Sequence, residues 1–321
     1  MTRAFITGIS GQDGSYLADR LVGESVEVHG LIRGWDADAH ALHARHPAIT
    51  LHEGDLADPA LVAALIAELK PDEIYNLAGI TSVAQSWSIP VETGIVTGIA
   101  VAGILDAALK LTERGTPVRV FQASSSEIFG VPTESPQSET TPISPNSPYG
   151  AAKAYAAAMV EIYRARGLAV ASCILYNHES PRRPESFVTR KITASAARIA
   201  AGLQDSLELG NLDVARDWGW APDYVDAIVL ATRHGSGDDY VIATGQSHTI
   251  REFVEAAFTA AGVADWERYV SINPEFVRPA EINTMLGGAS KARAVLGWQP
   301  TVDFATLVTR MVEADVAALT T

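Results

Sequence analysis

The chain has 321 residues, 47% hydrophobic and 19% charged, enough to bury one large core or two modest ones. Its 24 basic against 38 acidic residues leave a formal net charge of −14, which argues against a nucleic-acid or membrane-surface binder; any anionic ligand needs a local basic cluster. Cys173, the single cysteine, sits in the apolar run VASCIL, so a disulfide framework and a cysteine zinc site are excluded and no metal is expected.

The N-terminus MTRAFITG enters a strand at once, and no stretch reaches the ~18 apolar residues of a membrane span, so a cytoplasmic protein is expected. Residues 3–9 read as a buried strand that runs into Gly8, Gly11 and Gly14, and SYLADRLV then has helical spacing. Strand, glycine turn and helix in that order let backbone N–H groups approach a dinucleotide pyrophosphate at the helix N-terminus. Gln12 and Asp13 lie inside the same turn and are counted with the cofactor contacts.

The second strand, residues 26–32, ends where an acidic residue would take the ribose 2′-hydroxyl of NAD. Arg33 stands there instead, and a guanidinium suits a 2′-phosphate, so NADP is favoured; Asp36 and Asp38 follow closely and leave NAD open. A strand in ITLHEGDL brings Asp55 and Leu56 where an adenine would lie, and a helix over 59–69 follows. The strand 72–79 then ends in Asn76, Leu77, Ala78 and Gly79 at the cofactor edge; turn and packing roles are the alternatives. A helix over 91–111 and a strand over 118–125 place Ser124, Ser125, Ser126 and Glu127 at the carboxyl end of the sheet, where ligands bind. Proline and polar residues over 131–148 read as a surface loop.

The alanine-rich run AAKAYAAAMVEIY predicts a helix over 149–164, with Lys153 one turn from Tyr149. An ammonium beside a phenol favours phenolate against an ordinary pKa near ~10, suiting Tyr149 to proton exchange with a sugar hydroxyl. A YxxxK spacing arises often by chance; a serine upstream and a nucleotide turn at the N-terminus complete an oxidoreductase set. After a strand over 168–177, Arg182, Arg183, Arg190 and Lys191 fall within ten residues, either a phosphate cluster or a solvated basic loop.

Beyond about residue 180 the alternation becomes irregular, with helices near 188–202, 223–233, 250–262 and 302–318. The expected fold is α/β, a doubly wound parallel sheet over 1–180 with later segments returning to it, and a smaller, partly discontinuous domain over 181–321. The helices 91–111 and 149–164 are apolar enough to pair two copies as a four-helix interface, or to be buried within one; a homo-oligomer, dimer or tetramer, is expected.

The segments TGISGQDGSYL, PDEIYNLA, QASSSEIFG, SPYGAAKAYA, NHESPRRPESFVTRKI, LGNLDVARDWGWAPDYV and FVRPAEIN together resemble the GDP-mannose 4,6-dehydratase family of extended short-chain dehydrogenase/reductases. The resemblance implies a lyase that dehydrates GDP-mannose to GDP-4-keto-6-deoxy-mannose with a tightly bound, recycled NADP. It implies Ser125 in the hydroxyl position, usually threonine, Glu127 as base, and Tyr149 and Lys153 as the hydride-transfer pair. His178 and Arg183 go with the cofactor, Ser126 and Asn177 with the sugar, and Lys191, Arg216, Arg278 and Glu281 with the guanosine diphosphate. A GDP-4-keto-6-deoxy-mannose reductase or nucleotide-sugar epimerase on the same scaffold, and a non-catalytic dinucleotide sensor, are the alternatives. The chain departs from the family at Gly34-Trp35, where many members carry a second arginine and a longer inter-subunit loop, at Trp220 in place of histidine, and at Pro184 in place of glycine.

Overall fold

The computed structural model describes residues 1–276, 282 and 284–320; Arg278 and Glu281 of the expected substrate site lie outside the described residues. In chain order the strands are β1 (Arg3–Thr7), β2 (Glu27–Ile32), β3 (Thr50–Glu53), β4 (Glu73–Asn76), β5 (Arg119–Ser125) and β6 (Ala169–Leu175), followed by β7 (Asn177–Glu179), β8 (Leu207–Leu209), β9 (Ala215–Trp220), β10 (Asp239–Ile242), β11 (Ser247–Thr249) and β12 (Val270–Ile272). Seven of them form a wholly parallel sheet in the order β10-β6-β5-β4-β1-β2-β3. The strand order reverses between β1 and β4, and in such Rossmann-type sheets the ligand crevice opens at the carboxyl ends beside that switch.

Both faces of the sheet are covered, which is why its inner strands are buried throughout. The helices Gln12–Gly23 and Ala221–Arg233 cover one face through Leu17, Leu21, Val225 and Ile228. Pro59–Leu69, Ala100–Glu113 and Pro148–Ala165 cover the other through Val62, Ile66, Ile104, Leu105 and Val160, each such buried side chain worth ~1.5–3 kcal/mol. The expected helix 91–111 is three segments, Pro90–Thr93, a π-helical Gly94–Ile99 and Ala100–Glu113. Taken together, Pro90–Glu113 is long and apolar enough to cross a membrane, contrary to the expectation that no stretch is; 56% of its apolar 18-residue stretch is buried inside the protein, as in a core helix.

The single strand expected over 168–177 divides at Tyr176, because Asn177 leaves the large sheet and begins β7, which pairs parallel with β9. The chain returns to the large sheet as β10, whose four residues DYVI are too short a run to announce a strand. Asp36 accepts a bond from Ala39 N at 2.8 Å and caps a helix, Ala37–Arg45, that periodicity did not mark. The smaller half holds the sheet β11-β9-β7, the pair β12-β8, and the helices Val188–Ala200, Ile250–Ala260 and Phe304–Leu319 around Ile192, Trp218, Phe253 and Met311.

Candidate active site

A cleft of about 590 Å³ runs along the carboxyl edge of the large sheet and into the smaller half. Its floor is built by two local devices. Ser147 accepts from Gly150 N at 3.0 Å and Pro148 takes the first helical position, which starts the helix so that Tyr149 and Lys153 project from its first turns. A Cβ on Gly150 would stand 2.5 Å from the Glu127 carbonyl oxygen, so glycine there permits that helix to close on the turn Ser126–Phe129. Ser125, Ser126, Glu127, Tyr149 and Lys153 thereby share one cleft.

The Ser125 hydroxyl accepts from Glu127 N at 3.3 Å and stands near enough to the Tyr149 phenol to favour its ionised form. Lys153 Nζ lies 5.8 Å from the Tyr149 ring centre and donates to the Ala123 carbonyl at 2.7 Å. That carbonyl also ends a buried ladder in which Thr7, Asn76 and Gln122 are joined across β1, β4 and β5. The expectation of a phenol drawn down by its lysine is corrected in this ligand-free site. Burial pushes Tyr149 up to about 12, with Glu127 and Asp13 reinforcing burial and Ser125 opposing it. Burial also pushes Lys153 down to about 8, so its cation is weakened where the phenolate would need it.

On the cofactor side, Gly8 has a left-handed φ of 70° and a Cβ on Gly14 would come within 2.2 Å of the Gly8 carbonyl, so the turn closes only with glycine at both positions. Exposed Gly11 precedes the helix Gln12–Gly23 and no side chain caps it among the described residues, leaving first-turn N–H donors open to an anion. Leu77 lines the cleft, Ala78 N bonds Thr7 Oγ1, and Leu56 is buried behind exposed Asp55, whose carboxylate accepts from Ala57 N. Arg33 is exposed at the end of β2. Ser124 Oγ is buried in the cleft wall with no hydrogen-bond partner among the described residues, as a group awaiting a ligand would be. These features fit a dinucleotide.

Gln12 and Asp13 join the helix to β7, and Asp13 also lines the cleft. Gln12 donates to the His178 carbonyl and accepts from Ser180 Oγ, while Asp13 pairs with His178 Nε2 at 2.8 Å. The four-residue basic cluster also divides. Arg182 pairs with Asp19 and lies 3.8 Å over the Tyr16 ring, tying the turn after β7 to the first helix, and Arg190 pairs with Asp315, tying two helices together. Arg183, paired with Glu179 and stacked on Phe187, and Lys191, which donates to the Glu208 carbonyl over the Phe276 ring, line the cleft. Asn177 and Arg216 line it too, the latter through bonds from Nη1 to the Ala215 and Ile282 carbonyls. Pro184 is exposed, and Trp220 packs under Arg310.

Thr81, Ser82 and Trp87, in the loop after β4, and Asn211 and Phe276, at the far end, also line the cleft and were not singled out from the sequence. The first three follow a strand's carboxyl end, the rule that located Ser124–Glu127; Asn211 and Phe276 carry no comparable local signal.

Residues 5–311 match the family model described as GDP-mannose 4,6 dehydratase. The chain is 46% identical to GDP-mannose 4,6 dehydratase 2 of Arabidopsis thaliana, covering 97% of this chain and 86% of that protein. It is 42% identical to the human GDP-mannose 4,6 dehydratase, over 99% and 92%, and 40% identical to the Yersinia enterocolitica GDP-mannose 4,6-dehydratase, over 98% and 94%. Among solved structures it resembles a Thermus thermophilus UDP-glucose 4-epimerase complexed with NAD, at 27% identity and a TM-score of 0.84 over 99% and 100% of the two chains. RMD from Pseudomonas aeruginosa complexed with NADPH is similar at 25% identity and a TM-score of 0.80 over the same shares. With a family model matched from the first strand into the last helix, the chain belongs to the GDP-mannose 4,6 dehydratase family.

Proposed function

We propose that the protein is a lyase that converts GDP-mannose to GDP-4-keto-6-deoxy-mannose, using NADP that stays bound and is recycled. The observation that carries the proposal is the position of Glu127: a carboxylate stands in the same cleft as Ser125, Tyr149 and Lys153. Hydride exchange alone needs the hydroxyl, phenol and ammonium; a separate carboxylate supplies the base that an elimination requires. When bound, the nicotinamide supplies the hydride chemistry, accepting hydride from sugar C4 and returning it at C6.

Tyr149, held by Ser125 and Lys153, takes the proton of the 4-hydroxyl at its phenolic oxygen. The resulting 4-ketone acidifies C5; Glu127 removes that proton and delivers it to the departing 6-hydroxyl, which leaves as water, and C5 is reprotonated from solvent when hydride is returned at C6. Lys191 and Arg216 line the cleft where the diphosphate is expected, and Arg183 lines it too, with its charge reaching Asp13 at the cofactor turn. Arg33 supports NADP over NAD, and of the two rival carboxylates Asp36 is engaged in capping the helix Ala37–Arg45 while Asp38 is exposed in its first turn. Exposed Val91, Ile99 and Ile162 support a homo-oligomer, with the helices Pro90–Glu113 and Pro148–Ala165 at its interface.

Incubation with GDP-mannose and no added reductant, followed by mass analysis, tests the reading. Loss of one water supports it. No loss of water, with conversion of GDP-4-keto-6-deoxy-mannose only when NADPH is supplied, would make the protein a reductase.

A further inference from the structure

His178 sits where two acceptors meet. Its Nδ1 is 2.7 Å from the Tyr176 carbonyl and its Nε2 is 2.8 Å from Asp13 Oδ2. A carbonyl and a carboxylate can only accept, so both ring nitrogens must donate, and only the imidazolium does that. The residue is 8% exposed, and its ring stacks on Tyr224 with centroids 4.6 Å apart, a face that favours a cation. Burial works against the charge, but the Asp13 carboxylate prevails and holds His178 above its ordinary value; His178 in turn holds Asp13 below its own, burial again opposing. Arg183 is the other charge that reaches both groups, and it disfavours the imidazolium; its partner Glu179 is the next residue on β7.

This pair spans the two halves of the site. Asp13 lies in the first turn of the helix whose N-terminus would receive the pyrophosphate, and His178 lies on β7 between Asn177 and Glu179. Gln12 and Ser180 bond across the same junction, and Arg182 reaches Ser15 and Asp19 one turn further on. A carboxylate in that first turn would repel a pyrophosphate unless its charge were balanced.

We propose that His178 is a positioning residue whose imidazolium locks the glycine turn to the strand carrying Asn177 and neutralises Asp13, so that one buried ion pair sets both the cofactor side and the sugar side of the cleft. The cofactor part rests on the dinucleotide reading above; the ion pair does not. Deprotonating His178 removes one of its two donated bonds and leaves Asp13 negative beside the anion site, so cofactor is held less well as pH rises.

Nitrogen NMR of the histidine rings in the ligand-free protein, assigned with His178→Gln, reads the pair directly. A doubly protonated ring at pH 7 that titrates above the free value of ~6.5 is expected; a neutral ring at pH 7 would overturn the proposal. Calorimetric binding of NADP reads the consequence. His178→Gln should bind it about tenfold more weakly at pH 7, the weight of a hydrogen bond to a charged group, and should raise the GDP-mannose KM as well. The double variant Asp13→Asn/His178→Gln should regain part of the NADP affinity, because the repelling carboxylate is gone. Losses that merely add, or an alkaline fall in wild-type affinity that is undiminished in His178→Gln, would contradict the charge-balancing role, Lys153 accounting for any smaller fall that remains. A wild-type protein that binds no NADP while His178 titrates as described would overturn the cofactor part alone.

Discussion

The ammonium of Lys153 is bonded to the Ala123 carbonyl at 2.7 Å, and in that buried position its hold on the proton is weaker than in water. Free lysine titrates at 10.5 and Lys153 at about 8, which makes the ligand-free site a place of stored instability. Below about pH 8 both folded and unfolded chains carry the proton and the penalty is present in full; between there and 10.5 the unfolded chain binds the extra proton, so stability rises with pH.

Lys153→Met should therefore stabilise the ligand-free protein at pH 7, by on the order of 2 kcal/mol less the lost bond to Ala123, while abolishing turnover. Thermal melts at pH 7 and pH 10 check this: the gain should shrink at the higher pH. A variant that melts lower than wild type at both would show that the ammonium is not under strain.

Arg33 is exposed at the end of β2, with Asp36 withdrawn into a helix cap. Arg33→Ala should weaken NADP binding about 10- to 100-fold and spare NAD, since one charge-assisted contact is worth roughly 1.5–3 kcal/mol. Calorimetry with both dinucleotides decides it, and equal losses would remove Arg33 as the reader of the 2′-phosphate.

Arg216 is buried in the cleft wall with its guanidinium oriented by two backbone carbonyls. Arg216→Ala should raise the GDP-mannose KM by about tenfold or more and leave NADP affinity alone. Steady-state kinetics would show an unchanged KM if the arginine serves only to hold the segment at Ile282.

Ile99 is 58% exposed and Val91 75% exposed on one helical run, and Ile162 is 53% exposed on the helix that carries Tyr149 and Lys153. Gly98 lets the two helices touch, for a Cβ there would stand 3.2 Å from the Ala152 carbonyl. Ile99→Glu should convert an oligomer to monomer in light scattering, with the fold retained by circular dichroism. A wild-type monomer at micromolar concentration would contradict an interface on this face.

The parallel sheet, the glycine turn and the Tyr149–Lys153 helix are legible in the sequence because each rests on local spacing. What escaped depends on tertiary partners. Arg182 and Arg190 read like Arg183 and Lys191 in a single basic run, and only the approach of Asp19 and Asp315 withdraws them from the cleft. The phenol was expected to feel its lysine first; burial is the larger influence, and it can be known only once helix and strand are packed. The bond between Asp13 and His178 joins residues 165 apart, with no local pattern to announce it.

The central claim is that Glu127 is the base of an elimination, and Glu127→Gln tests it most directly because it keeps the size and hydrogen bonding of the side chain. On addition of GDP-mannose in deuterated water, the variant should develop the absorbance of reduced cofactor on the protein, release little 4-keto-6-deoxy product, and carry no solvent deuterium at C5. Normal turnover with deuterium at C5 would place the base elsewhere and contradict the role given to Glu127.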